Sequence, residues 1–274
     1  MTADLDYSRL LHVAGSILDG AVGEFRDGVG APSAVAKSAT DFATQVDLDL
    51  ERRLTAELAE RTQIPVHGEE FGGPDLDTGA VWVLDPVDGT YNYSTGVPLT
   101  GILLGLLVDG DPVLGLTWLP LQDRRYAAHV DGPLLVDGEP APSLTGTALA
   151  TSVLAYGPFN AAHGGRFAGA VRADVVRALS SRAARLRMTG STGVDLSFTA
   201  AGIFGGAVIF GRHAWDNAPG AALVRAAGGV ATDLAGRPWT VNSSSLVVGA
   251  PGLHAELMEV ITDASGGRWN EDAE

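Results

Sequence analysis

Apolar residues recur at helical spacing near the start of the chain, at Leu10, Leu11, Val13, Ala14, Ile17, Leu18, Ala21 and Val22, and predict a helix over 5–25. The stretch 28–33 is rich in Gly and Pro and reads as a loop. A second stripe, Leu50, Leu54 and Leu58, predicts a helix over 47–61, with Glu51, Arg52, Glu57 and Glu60 on its outer side. Short apolar runs at 64–67 and 80–84 read as buried strands. The runs 100–108 and 113–118 flank Asp109-Gly110-Asp111-Pro112, a hairpin signal, and 124–130 and 134–136 extend the same antiparallel sheet. Pro140 to Ser143 is the best linker. Beyond it the pattern alternates: strand 148–154, helix 161–179, a strand at Leu186, helix 193–201, strand 207–210, helix 216–227, strands 229–233 and 246–249, and helix 253–262. The polar tail 266–274 is expected to fray. The expected class is α/β, with an α+β domain over 1–141 built on an antiparallel sheet and an α/β domain over 142–274.

Charge narrows the functions. The chain of 274 residues carries 18 basic and 33 acidic side chains, a net −15, which opposes binding to nucleic-acid backbones or anionic membranes. Lys37 is the only lysine. The absence of Cys removes thiolate nucleophiles, disulfides and thiolate metal sites. The six His are scattered, the N-terminal MTADLDYSRL does not resemble a secretory signal, and the apolar run 99–108 is about half of a membrane span, so a cytoplasmic protein is expected.

Nucleotide and nucleophile motifs fail. Lys37 follows Ala36 rather than Gly, so there is no Walker lysine, and no G-x-S-x-G elbow occurs. Carboxylates concentrate in three apolar settings instead: His67-Gly68-Glu69-Glu70; Trp82 to Thr90, containing Asp85-Pro86-Val87-Asp88-Gly89-Thr90; and Trp215-Asp216-Asn217-Ala218-Pro219-Gly220. In the middle segment a strand delivers Asp85 to its end, Pro86 terminates pairing, and Asp88 can converge on the same point with the Val87 carbonyl between. Gly89 permits close backbone approach to a ligand, and the Gly89 and Thr90 amides could face an anion. Clustered carboxylates repel unless a cation is present, and an all-oxygen set suits Mg²⁺. Taken singly, each segment has a plainer reading. Asp-Pro-x-Asp-Gly is commonly a turn, Gly-Glu-Glu a solvated loop, and Asp216 a helix N-cap.

Together and in this order, the segments resemble the inositol monophosphatase family of Mg²⁺-dependent, Li⁺-sensitive phosphatases. The family carries Gly-Glu-Glu, then Trp-x-x-Asp-Pro-x-Asp-Gly-Thr-x-Asn-[Phe/Tyr], then Trp-Asp-x-Ala-[Ala/Pro]-Gly. Here these are Gly68-Glu69-Glu70, Trp82 to Tyr93, and Trp215 to Gly220. Ser38 to Asp47 is similar to the family's Asp-x-x-T-x-x-D stretch, and Gly190-Ser191-Thr192-Gly193-Val194-Asp195-Leu196 to its Gly-Ser helix. The resemblance implies a layered αβαβα sugar-phosphatase fold and a homodimer. It implies that Glu69, Asp85 and the Val87 carbonyl hold one Mg²⁺, that Asp85, Asp88 and Asp216 hold a second, and that a third could sit near Glu69. It further implies that Thr90, paired with Asp47, orients and helps deprotonate a metal-bound water, that Glu70 supports this group, and that the Gly89 and Thr90 amides hold the phosphate.

The substrate region departs from the pattern. Where inositol-processing members have a Glu before the Trp-Asp pair, this chain has Ile209, which makes inositol phosphate itself a poorer fit. Ser191, Thr192, Ile209, Arg212 and His213 are the candidate substrate positions. The expected activity is hydrolysis of a small phosphorylated metabolite, a polyol, sugar, cyclitol or histidinol phosphate. The rivals are a 3′-phosphoadenosine 5′-phosphate or fructose-1,6-bisphosphate phosphatase, and a catalytically weak regulatory binding protein of the same fold.

Overall fold

Alternation along one strand shows how the pattern becomes layers. Trp82 and Leu84 enter one hydrophobic core and Val83 enters another, because successive side chains of a strand point to opposite faces. The computed structural model describes residues 5–38, 41–162 and 164–269. In chain order the elements are α1 (Tyr7–Asp27), β1 (Ser33–Ser38), β2 (Asp41–Thr44), α2 (Gln45–Thr62), β3 (Val66–Gly68), β4 (Ala80–Asp88), α3 (Thr90–Thr95), β5 (Gly101–Val108), β6 (Asp111–Leu119), β7 (Arg124–His129), β8 (Leu135–Val136), β9 (Glu139–Pro140), β10 (Val153–Tyr156), α4 (Gly169–Ser180), β11 (Arg185–Arg187), α5 (Thr192–Ala200), β12 (Gly206–Ile209), α6 (Ala214–Ala226), β13 (Val230–Thr232), β14 (Leu246–Gly249) and α7 (Leu253–Ser265).

β3 to β9 form a seven-stranded sheet in sequence order, parallel only between β3 and β4. The second sheet has the order β11-β10-β12-β14-β13; β10 is parallel to both its neighbours, while β14 is antiparallel to β12 and β13. One core lies between α1, α2 and the large sheet (Leu18, Leu54, Trp82, Leu104). A second lies between the two sheets, around α5 and α6 (Val83, Leu107, Leu196, Leu223, Val248), and a third under α4 and α7 (Val175, Leu257). The layers are therefore α, β, α, β, α. The middle core draws side chains from both sides of the Pro140 to Ser143 stretch. No helix among the described residues is long and apolar enough to cross a membrane.

Several elements differ from the sequence expectation. The helix expected over 161–179 begins at Gly169, because Gly164-Gly165 interrupts it and Gly165 sits at φ 86°, outside helical space. His163, within the expected span, lies outside the described residues. Pro86 does not end its strand: pairing resumes at Asp88 after a bulge. The β1–β2 hairpin was not expected, since it carries little apolar patterning and Val35 is exposed. Glu51, placed on the outer side of its helix by pattern, is 1% exposed. In the tail, Trp269 packs edge-on against Phe167, and 270–274 lie outside the described residues.

Candidate active site

The bulge in β4 makes the centre. Pro86 offers no amide hydrogen to β5, so Asp85 pairs with Leu103 and Asp88 with Gly101, three steps along β4 against two along β5. The Val87 amide donates to Asp85 Oδ1 at 2.9 Å and fixes the turn. Both carboxylates thereby end on one side of the sheet, 2% and 4% exposed. Across the gap, α6 presents Asp216 in its first turn; His213, not Asp216, is the N-cap. Ligand oxygens of Asp85, Asp88 and Asp216 lie within 4.8 Å of one another.

Asp88 is held from the other half of the chain. It accepts hydrogen bonds from Ser191 Oγ, from the Thr192 amide at 3.0 Å and from the Gly193 amide at 2.9 Å, all at the start of α5. Gly193 is required there, since a Cβ would sit 2.3 Å from Leu103 Cδ2. Ser191 is therefore a buried support for Asp88, and both it and Thr192 border the cavity.

The Gly68-Glu69-Glu70 turn has a support that the pattern did not reveal. Glu51 Oε2 accepts from the Glu70 amide at 2.8 Å and Oε1 from the Phe71 amide at 2.9 Å. Glu51 shares one helix face with Asp47, Leu50, Leu54 and Leu58, and that spacing was the available signal. A Cβ on Gly68 would meet Glu51 Oε1 at 1.9 Å. Lys37, from β1, places Nζ 2.6 Å from both Glu69 Oε1 and Glu70 Oε1. Its being the only lysine was the sole hint in the sequence.

Electrostatics report the crowding. Burial, then the charges of Glu69, Asp88 and Asp216, pushes Asp85 well above the ordinary carboxylate range. Asp216 is raised likewise by burial, Glu69 and Asp88, although Asp85 hydrogen-bonds to it. Asp88 is pushed up to about 6 by burial, against the hydrogen bonds from α5, and burial lifts Glu70 to about 7 and Asp47 to about 6. Burial opposes the charge on Lys37, but Glu69 and Glu70 outweigh it and raise its pKa.

A cavity of about 360 Å³ opens above these groups. Glu69, Asp85, Val87, Asp88, Gly89, Thr90, Ser191, Thr192, His213 and Asp216 border it, joined by Lys37, Pro158, Gly190 and Trp215, which sequence reasoning did not select for the site. Trp215 is stacked on His67 at 5.8 Å and tilted against His213 at 4.8 Å. Gly89 is left-handed at φ 77°, and a Cβ would stand 3.1 Å from the Gly190 and Leu99 carbonyls. Four expected residues are placed differently. Thr90 Oγ1 donates to the Val87 carbonyl at 3.2 Å, while Asp47 is engaged by the amide and hydroxyl of Thr44 in a capping box. Ile209 is 6% exposed in the middle core, opposite Leu246, and Arg212 is exposed outside the cavity lining.

Hard oxygen donors that crowd and repel one another, two of them buried and one half-buried, fit a small divalent cation. The comparisons with known proteins agree with this chemistry. Over 252 residues the chain is 54% identical to inositol-1-monophosphatase ImpA of Mycolicibacterium smegmatis, covering 92% of this chain and 91% of that protein. The probable inositol 1-monophosphatase ImpA of Mycobacterium tuberculosis is also 54% identical, over 92% and 93%. In fold, the inositol monophosphatase of Anabaena superposes with a TM-score of 0.81 at 20% identity, over 94% of this chain and 97% of that one. The sequence model of the inositol monophosphatase family matches residues 4–265, and the chain belongs to that family.

Proposed function

We propose that the chain is a phosphomonoesterase that releases phosphate from a small hydroxylated metabolite, a polyol, sugar or cyclitol phosphate, with Mg²⁺ held by Glu69, Asp85, the Val87 carbonyl, Asp88 and Asp216. The observation that carries this reading is the convergence of three carboxylates from β4 and α6, two of them buried and Asp216 half-buried. When bound, Mg²⁺ supplies charge neutralisation at the transferring phosphoryl group and an acidified water. The chain's own groups do the rest. The Gly89 and Thr90 amides hold phosphate oxygens, the Thr90 hydroxyl and Glu70 position the attacking water, and Asp47 anchors the start of α2 beside them. Thr192 and His213 border the leaving-group side, and Ile209 offers it no hydrogen bond.

Two or three ions per subunit, a homodimer, sensitivity to Li⁺ and a cytoplasmic location belong to the same reading, and the net −15 opposes nucleic-acid binding. The test is a phosphate-release screen over polyol, sugar, cyclitol, histidinol and nucleotide monoesters, with and without Mg²⁺ and Li⁺. Turnover on the hydroxylated monoesters, lost in chelator and in Asp85→Asn, is expected. Full turnover in chelator would overturn the metal-dependent reading, and turnover confined to nucleotides would overturn the substrate class.

A further inference from the structure

Alternation along β3 turns His67 toward α6. β3 runs parallel to β4 with His67 opposite Val83, while Val66, on the other face, joins Trp82 and Leu84 in the core beneath α1 and α2. His67 therefore shares the face of Val83, which packs in the core around α6. The Glu69 amide continues the ladder, donating to the Leu84 carbonyl at 3.1 Å, so His67 and Glu69, two residues apart, lie on one side of the chain. There the His67 ring meets Trp215. The two rings are stacked, with centroids 5.8 Å apart and planes within 18° of parallel. Trp215 sits in the first turn of α6, directly before Asp216. The stack thus joins the segment that carries Glu69 to the segment that carries Asp216.

His67 is braced from behind. A carbonyl only accepts, so His67 Nδ1 carries its hydrogen and donates to the Pro74 carbonyl at 2.9 Å. Gly73 lets the chain close that tightly: a Cβ there would stand 2.4 Å from the Val66 carbonyl oxygen and 2.6 Å from His67 Cα. Gly68 and Gly72 exchange backbone hydrogen bonds at 3.0 and 3.1 Å and tie the turn shut. What this bracing opposes is charge. After burial, Glu69 is the group that most raises both Asp85 and Asp216, so Glu69 and Asp216 repel across the gap. Among the described residues no hydrogen bond or ion pair links 66–74 to 214–217, and the ring stack is the directional attraction between them.

We propose, resting on the Mg²⁺ reading of the centre, that His67 is a positioning residue for the metal: through Trp215 it holds the Glu69 turn and the start of α6 at ligand spacing before the cation arrives. Without the ring the repelled segments part, the cation meets a complete set of ligands in only a fraction of molecules, and its apparent affinity falls by that fraction. The strength of one aromatic pair limits the fall to about three- to tenfold. His67 does not border the cavity, so it acts through Trp215, which does.

The test is a calorimetric Mg²⁺ titration of the full chain after chelator has been dialysed away. His67→Asn keeps a donor for the Pro74 carbonyl but no ring, and His67→Phe keeps a ring but no donor. His67→Asn is expected to bind Mg²⁺ about three- to tenfold more weakly than wild type, and His67→Phe within about twofold of it. Trp215→Leu loses a similar factor, and adding His67→Asn to it changes little, since the two rings act as one contact. In phosphate release the half-activating Mg²⁺ concentration of His67→Asn rises by the same factor, while its rate at saturating Mg²⁺ stays within about twofold of wild type. Circular dichroism melts in chelator check that the variants fold, and the contrast of Asn with Phe decides if Trp215→Leu does not. His67→Asn binding as tightly as wild type, His67→Phe as weak as His67→Asn, or additive losses in the double variant would each overturn the proposal and leave the metal reading intact. A wild-type chain that binds no Mg²⁺ would overturn both.

Discussion

Glu51→Gln isolates the support beneath the metal-ligand turn. The wild-type carboxylate is 1% exposed and accepts two amide hydrogens, from Glu70 at 2.8 Å and Phe71 at 2.9 Å. Burial raises its pKa while those two amides pull it back. Gln has one acceptor oxygen, so whichever amide faces the new NH₂ loses its partner and two donors are left opposed. A hydrogen bond to a charged group contributes about 1.5–3 kcal/mol, and a buried unpaired donor costs about 1–3 kcal/mol. The expected loss is about 2–4 kcal/mol, or roughly 3–7 °C in Tm for a chain of this size. The turn carrying Glu69 shifts with it, so the Mg²⁺ concentration giving half-maximal activity rises by about tenfold or more. Urea denaturation and a Mg²⁺ titration of activity read the two effects. Gly68→Ala attacks the same contact from the other side, with a Cβ 1.9 Å from Glu51 Oε1, and predicts the same pair of changes. A Glu51→Gln protein within about 0.5 kcal/mol of wild type, with an unchanged Mg²⁺ titration, would refute this account of the turn.

Asp85→Asn and Asp88→Asn each lower phosphate release by about two orders of magnitude or more, read as initial rates at saturating Mg²⁺. Lys37→Gln leaves Glu69 and Glu70 facing one another; in chelator it costs about 1 kcal/mol, and the difference from wild type narrows as Mg²⁺ is added, followed by thermal melts. Asp195 is held at about 7, by burial first, above its unfolded value of about 3.9. The native chain keeps a proton there that the unfolded chain releases, so this group's stabilising contribution is complete below about pH 4 and is lost as pH rises to about 7. Asp195→Asn flattens that slope, by at most about 4 kcal/mol, in chelator-treated protein unfolded by urea at pH 5 and pH 8.

Long periodic elements were readable because burial imposes a repeat on them. α1, α2 and the hairpin of β5 and β6 follow from their apolar spacing, and three carboxylate segments marked the centre. What escaped has a physical reason. β1 and β2 are held by ladder hydrogen bonds and expose Val35, so no apolar signature betrays them. Glu51 is a charge on a buried face, which a polar-means-outside rule assigns wrongly. The grip of Ser191, Thr192 and Gly193 on Asp88 joins residues about a hundred positions apart, beyond the reach of any local pattern. Ile209 was placed by its distance from Trp215 along the chain, yet its side chain turns into the core, because alternation along a strand decides direction.

The clasp of α5 on Asp88 makes the centre a joint as well as a site. Cut between residues 141 and 142, the chain would leave Glu69, Asp85 and Asp88 on one piece, and Asp216 with Ser191, Thr192 and Gly193, the donors to the Asp88 carboxylate among the described residues, on the other. Any cation seated among these oxygens therefore works as a rivet through the seam between the sheets. Metal affinity and the cohesion of that seam are two readings of one free energy, so a substitution that loosens α5 or α6 far from the substrate will be felt as weaker metal binding.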